Sequence, residues 1–73
     1  MHISLRQLRA FIAAVETGGF TRAAHRLHLT QSAVSMVIRQ LEAEVGLPLF
    51  NREGKRITPT EMGLQLVPIA KRM

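Results

Sequence analysis

TRAAHRLHLTQSAVSMVIRQLE, residues 21–42, places two apolar-periodic segments around a short interruption at His28-Leu29, then runs on for three helical turns. In the first piece Ala23, Ala24 and Leu27 share one face, with Arg22, His25 and Arg26 on the other. In the second, Val34, Ile38, Leu41 and Val45 recur at steps of four and three, Thr30 stands at the N-cap position and Gly46 ends the pattern. At about 100° per residue, Ser32, Ser35 and Arg39, with Met36 beside them, fall on a different face from that stripe. Two short helices meeting at a sharp turn are the shape of a helix-turn-helix, whose second helix enters a major groove. On this reading the interruption aims the polar face outward.

Upstream, Leu5, Leu8, Phe11, Ile12 and Val15 predict an amphipathic helix over residues 5 to about 17. Ser4 and Gln7 form a capping box at its start, Ile3 is placed to staple against Leu8, and Gly18-Gly19 stops it. Thr21 is the expected N-cap of the second helix. Downstream of Pro48 the period changes. Leu49-Phe50 and Ile57 flank the turn signal Glu53-Gly54, which predicts a two-stranded hairpin with basic residues near its tip. A last helix is expected to open with Thr58 as cap, Pro59 in the first helical position and Glu61 completing a second capping box. Its buried stripe is read as Met62, Leu66, Ile69 and Met73, with a bend at Pro68.

Composition bounds what such a chain can do. Its 73 residues amount to one domain, and a domain of this size buries only about 60% of its unfolded surface, so no deep substrate cavity is expected. Ten Lys+Arg against five Asp+Glu give +5 at 47% hydrophobic content, a folded basic module whose partner is acidic, with a phosphate backbone the leading candidate. The chain has no cysteine, which removes disulfides and thiolate metal sites. Residues 10–15, AFIAAV, are the longest apolar run, far short of the roughly 18 residues that span a bilayer. The cytoplasm is the expected compartment. His25 and His28, with no cysteine or aspartate in the chain, are too few for a closed metal site. A serine nucleophile served by either histidine lacks a pocket and an oxyanion hole, so neither cofactor, metal nor enzymatic activity is expected.

With those elements in place, LRQLRAFIAAVETGGFTRAAHRLHLTQSAVSMVIRQLEAEVGLPLFNREGKRITPTEMG resembles the N-terminal winged helix-turn-helix of LysR-type transcriptional regulators over nearly the whole chain. The specific parts run from F-T-x-A-A-x-x-L through T-Q-S-A-V-S to L-E-x-E-V-G-x-x-L-F-x-R, followed by T-P-T-E-x-G. The resemblance implies a mainly α winged helix-turn-helix: a three-helix core and two-stranded β wing over residues 1–58, and the start of a linker or dimerisation helix over 59–73. It implies recognition-helix positions for Gln31, Ser32, Ala33, Ser35 and Met36, and phosphate contacts for Thr30, Ser35 and Arg39. In the wing, Arg52, Lys55 and Arg56 match basic positions that reach the backbone and the adjacent minor groove. Chemically, Gln31 suits an adenine edge and Ala33 a thymine methyl.

The implied partners are a double-stranded DNA operator and a second copy of the chain, joined through the linker helix. A small-molecule inducer would bind a C-terminal domain that lies beyond this sequence, and no membrane is involved. The chain is read as an N-terminal fragment whose shortened linker helix dimerises weakly. Two departures stand out: Ser32 where many relatives have proline, and Met36-Val37 in place of a frequent arginine-glutamine pair. From the residues alone, alternatives stay open. The Ser32/Ser35/Arg39 face is otherwise a solvated helix surface, Lys55 and Arg56 a charged turn tip, and Met36 a cover for the core edge. For the whole chain the rivals are a cationic helix that folds on anionic membranes and a winged fold that binds protein only.

Overall fold

A computed structural model describes residues 2–52 and 57–72. Its elements are α1 (Leu5–Thr17), α2 (Phe20–Leu27), α3 (Gln31–Val45), β1 (Phe50–Asn51), β2 (Thr58–Pro59) and α4 (Glu61–Lys71). The first three helices pack around Phe11, Val34, Ile38 and Leu41, all sealed from solvent. β1 and β2 pair antiparallel, Phe50 opposite Pro59 and Asn51 opposite Thr58. No helix among the described residues is long and apolar enough to cross a membrane.

Local capping chemistry sets most of the boundaries. The Gln7 N–H donates to Ser4 Oγ at 3.1 Å and the Ser4 N–H to Gln7 Oε1 at 3.0 Å, the reciprocal box expected at the start of α1. Gly18 and Gly46 close α1 and α3 at φ of 78° and 85°, left-handed values that cost glycine nothing. The α2–α3 turn passes through His28 at φ 57°, a left-handed residue without glycine's freedom. Thr30 caps α3 by accepting the Ala33 N–H at 3.1 Å.

Tertiary contacts move three expected features. α2 begins at Phe20 on an extended Gly19, not after Thr21. Inclusion of Phe20 in the helix buries its ring edge-on against Phe50, with centroids 5.5 Å apart, and that burial overrides the local cap Thr21 offers. α4 begins two residues later than Thr58 would place it, and Thr58-Pro59 form β2 instead. The cap is Thr60, whose Oγ1 accepts the Gly63 N–H at 3.1 Å and donates to the Pro48 carbonyl at 2.8 Å, while its N–H donates to the Leu49 carbonyl at 2.9 Å. Those two bonds to residues 48 and 49 are unreachable from Thr58 as cap. Glu61 consequently falls in the first turn rather than in a capping box.

The apolar stripes shift as well. Leu5, expected inside, is 53% exposed, and Ala10, Ala13 and Ala14 take its share of the buried face of α1. In α3, Val37 joins Val34, Ile38 and Leu41 in the core, while Val45 is only partly covered. α4 is seated by its smallest residues, Gly63 and Ala70, with Met62, Leu66 and Val67 partly buried; Ile69 faces out at 53% exposure. The helix continues through Pro68 to Lys71. Met73 lies outside the described residues.

Gly63 is required by closeness rather than by conformation. A Cβ there would run into the Leu49 carbonyl oxygen and lie 3.2 Å from the Pro59 Cβ. Alanine would add about 1 kcal/mol of helix propensity, but the obstruction is backbone and cannot rotate aside, and overpacking of this kind costs about 1–3 kcal/mol. Gly63→Ala is therefore expected to lower the thermal midpoint. An unchanged or raised midpoint would show that α4 does not seat on the Leu49 carbonyl.

Candidate nucleic-acid interface

α3 is held by its apolar side and leaves a long open groove on the other. Gln31, Ser32, Ser35, Met36, Arg39, Gln40 and Ala43 line it, a stretch of about 18 Å at 1.5 Å rise per residue. The face expected from helical periodicity is thus assembled, and it extends one turn further. Gln40 and Ala43 continue the i, i+4, i+7 series from Met36, a signal already present in the spacing.

The charge on this face is controlled by where the acids go. α3 carries two glutamates, and both are engaged away from the groove. Glu44 accepts the His2 backbone N–H at 3.0 Å. Glu42 accepts the Leu49 N–H at 2.8 Å through one oxygen and Arg52 Nη2 at 3.0 Å through the other. Among the described residues no acidic side chain lines the groove and none pairs with Arg39, which is exposed. What remains is a ridge of hydroxyls, amides and one guanidinium, with the apolar Met36 and Ala43 among them, able to donate and accept hydrogen bonds and to meet negative charge without repulsion.

The other expected site residues are distributed differently. Thr30 is exposed at the head of α3, where its hydroxyl caps the helix and lies 3.3 Å from Ser32 Oγ. Ala33 is half-buried and does not line the groove. The Arg52 guanidinium is drawn to Glu42 and lies 5.6 Å from the centroid of the Phe20 ring, which ties β1 to α3 and α2. Lys55 and Arg56 lie outside the described residues. Glu42 has a structural part that its place in a sequence motif did not disclose, because both of its partners come from beyond the end of α3.

A second cleft adjoins the ridge, between the start of α2 and the wing. Gln31 borders it together with Gly19, Thr21, Arg22 and Thr58. α2 has no side-chain cap at Gly19, and Arg22 of its first turn borders this cleft. Arg22 is exposed, as its place on the outer face of α2 predicts.

Three helices with a two-stranded wing and an outward polar ridge on the third, along which no acid lies among the described residues, define a winged helix-turn-helix module. The model of the bacterial regulatory helix-turn-helix protein, lysR family, matches residues 5–64, and the chain belongs to that family. It is 56% identical over 66 residues to the RuBisCO operon transcriptional regulator of Allochromatium vinosum, covering 90% of this chain and 22% of that protein. Among solved structures, the CbnR_DBD-DNA complex superposes with a TM-score of 0.92 at 36% identity, covering 96% of this chain and 80% of that one. The BenM_DBD/benA site 1 DNA complex superposes with a TM-score of 0.91, also at 36% identity, covering 96% and 79%. The chain spans about 22% of the length of the curated relatives it matches first.

Proposed function

We propose that this chain is the DNA-binding head of a bacterial transcriptional regulator and docks α3 in the major groove of a double-stranded operator, with the wing on the adjoining backbone. The observation that carries the reading is the outward ridge from Gln31 to Ala43, kept clear of the two glutamates of α3 by the engagement of Glu42 and Glu44 elsewhere. A helix about 10–12 Å across fits a major groove about 12 Å wide. In this docking Gln31, Ser32, Ser35 and Met36 face base edges. Thr30 and Arg39 approach phosphates, and Lys55 and Arg56 take the same role in the wing on sequence grounds. Arg52 acts at one remove, by fixing β1 against α3. Residues 1–58 form the head and 59–73 begin the linker helix.

The same reading makes the protein cytoplasmic and without catalytic activity. It takes the intact regulator as a homodimer joined through α4, whose Leu64 and Ile69 are exposed at 59% and 53%. An inducer would act through a further, C-terminal domain.

Competition binding tests the docking. Gln31→Ala and Ser35→Ala are expected to weaken binding to a selected operator more than to random duplex. Equal losses would remove both residues from sequence readout. Arg39→Ala is expected to reduce the slope of log affinity against log salt by up to about 0.9, the value of one phosphate contact; an unchanged slope would place Arg39 off the backbone. A winged fold that binds protein only would show affinity for DNA no better than its charge provides and no preference among sequences.

A further inference from the structure

Met36 is a large apolar side chain in the middle of an otherwise polar ridge. It is 53% exposed and takes no part in the core, which Val34, Val37, Ile38 and Leu41 close beneath α3. Ser32 precedes it by one turn and Gln40 follows by one, both lining the same groove. It is therefore not part of the core, and it lies exposed on the face that the proposed docking turns to the duplex.

Base edges in a major groove carry donors and acceptors at every pair and only one apolar group, the 5-methyl of thymine. A thioether pressed against a donor or acceptor would strip it of water and return no comparable hydrogen bond. Against the methyl it buries two apolar surfaces, and methionine's unbranched stem adapts to the small gap this requires. We infer that Met36 is a specificity-determining residue that selects thymine, through its 5-methyl group, at one base pair of each bound half-site. The inference rests on the docking proposed above and adds to it the identity of one base.

The test uses the 73-residue chain and a duplex selected from a random pool, remade with deoxyuridine in place of thymidine one position at a time. Uracil lacks only the methyl, so pairing and the rest of the groove edge are unchanged. Binding is expected to weaken about fourfold at one position per half-site, the worth of one buried methyl. Met36→Gln is expected to abolish that sensitivity and Met36→Leu to keep it; an exposed position lets both variants fold, which matched thermal midpoints would verify. A selected duplex with no uracil-sensitive position, or one whose sensitivity survives Met36→Gln, overturns the role of Met36 while leaving the docking intact. If selection yields no preferred duplex at all, the docking fails and the inference goes with it.

Discussion

Phe50→Ala is expected to lower the unfolding free energy by about 3–5 kcal/mol, the usual cost of emptying a buried aromatic site. Phe50 is the centre of a three-ring cluster, 5.6 Å from the Phe11 centroid at 55° and 5.5 Å from that of Phe20 at 90°. Each edge-on or tilted pair adds about 0.5–1.5 kcal/mol beyond the area it buries. The three rings come from α1, α2 and β1, and a cavity between three elements has no single neighbour able to collapse into it. A domain of 73 residues is stable by about 4–11 kcal/mol at 0.05–0.15 kcal/mol per residue, so the loss is a large share of the total. Urea unfolding followed by circular dichroism measures it. A loss below about 1 kcal/mol would mean that β1 is not anchored through this ring.

Glu42→Ala ranks second, at about 2–4 kcal/mol. Its carboxylate side chain is 12% exposed and serves two donors at once, the Leu49 N–H and the Arg52 guanidinium. Hydrogen bonds to charged groups contribute about 1.5–3 kcal/mol, and removal of the acceptor leaves the N–H of a fully buried residue unmet. The exposed Arg52 end contributes the smaller part, since solvent screens it. Glu42→Gln separates the two, because one amide oxygen accepts from the backbone while the charge is lost. It is expected to recover more than half of the alanine loss in the same unfolding assay. If both variants unfold alike, the ion pair with Arg52 dominates and the backbone bond is secondary.

What was legible in the sequence follows physical range. α1 and α3 are legible nearly to the residue because their caps are local: Ser4 with Gln7, Thr30 with Ala33, glycine at each exit. The polar face of α3 is legible too, since helical periodicity is geometry, and Gln40 and Ala43 extend it beyond the residues the motif marks. Failures occur where a distant partner decides. Phe20 pulls the start of α2 forward to reach Phe50, and Thr60 becomes a cap because Pro48 and Leu49 lie beside it. Arg52 reads as a free cation until Glu42, ten residues earlier and on another element, is brought next to it. The exposure of Ile69 in place of Ala70 is of the same kind, set by how closely α4 must approach its bed.

That close approach has a mechanical consequence. A helix seated by a glycine and an alanine conceals little oily area beneath those two positions, so the flanking Met62, Leu66 and Val67, partly buried against the core, and the bonds around Thr60 supply the rest of its hold. The Leu49 carbonyl oxygen fills the space a Cβ at position 63 would need, so the register of α4 against the segment before β1 depends on the missing side chain of that one residue.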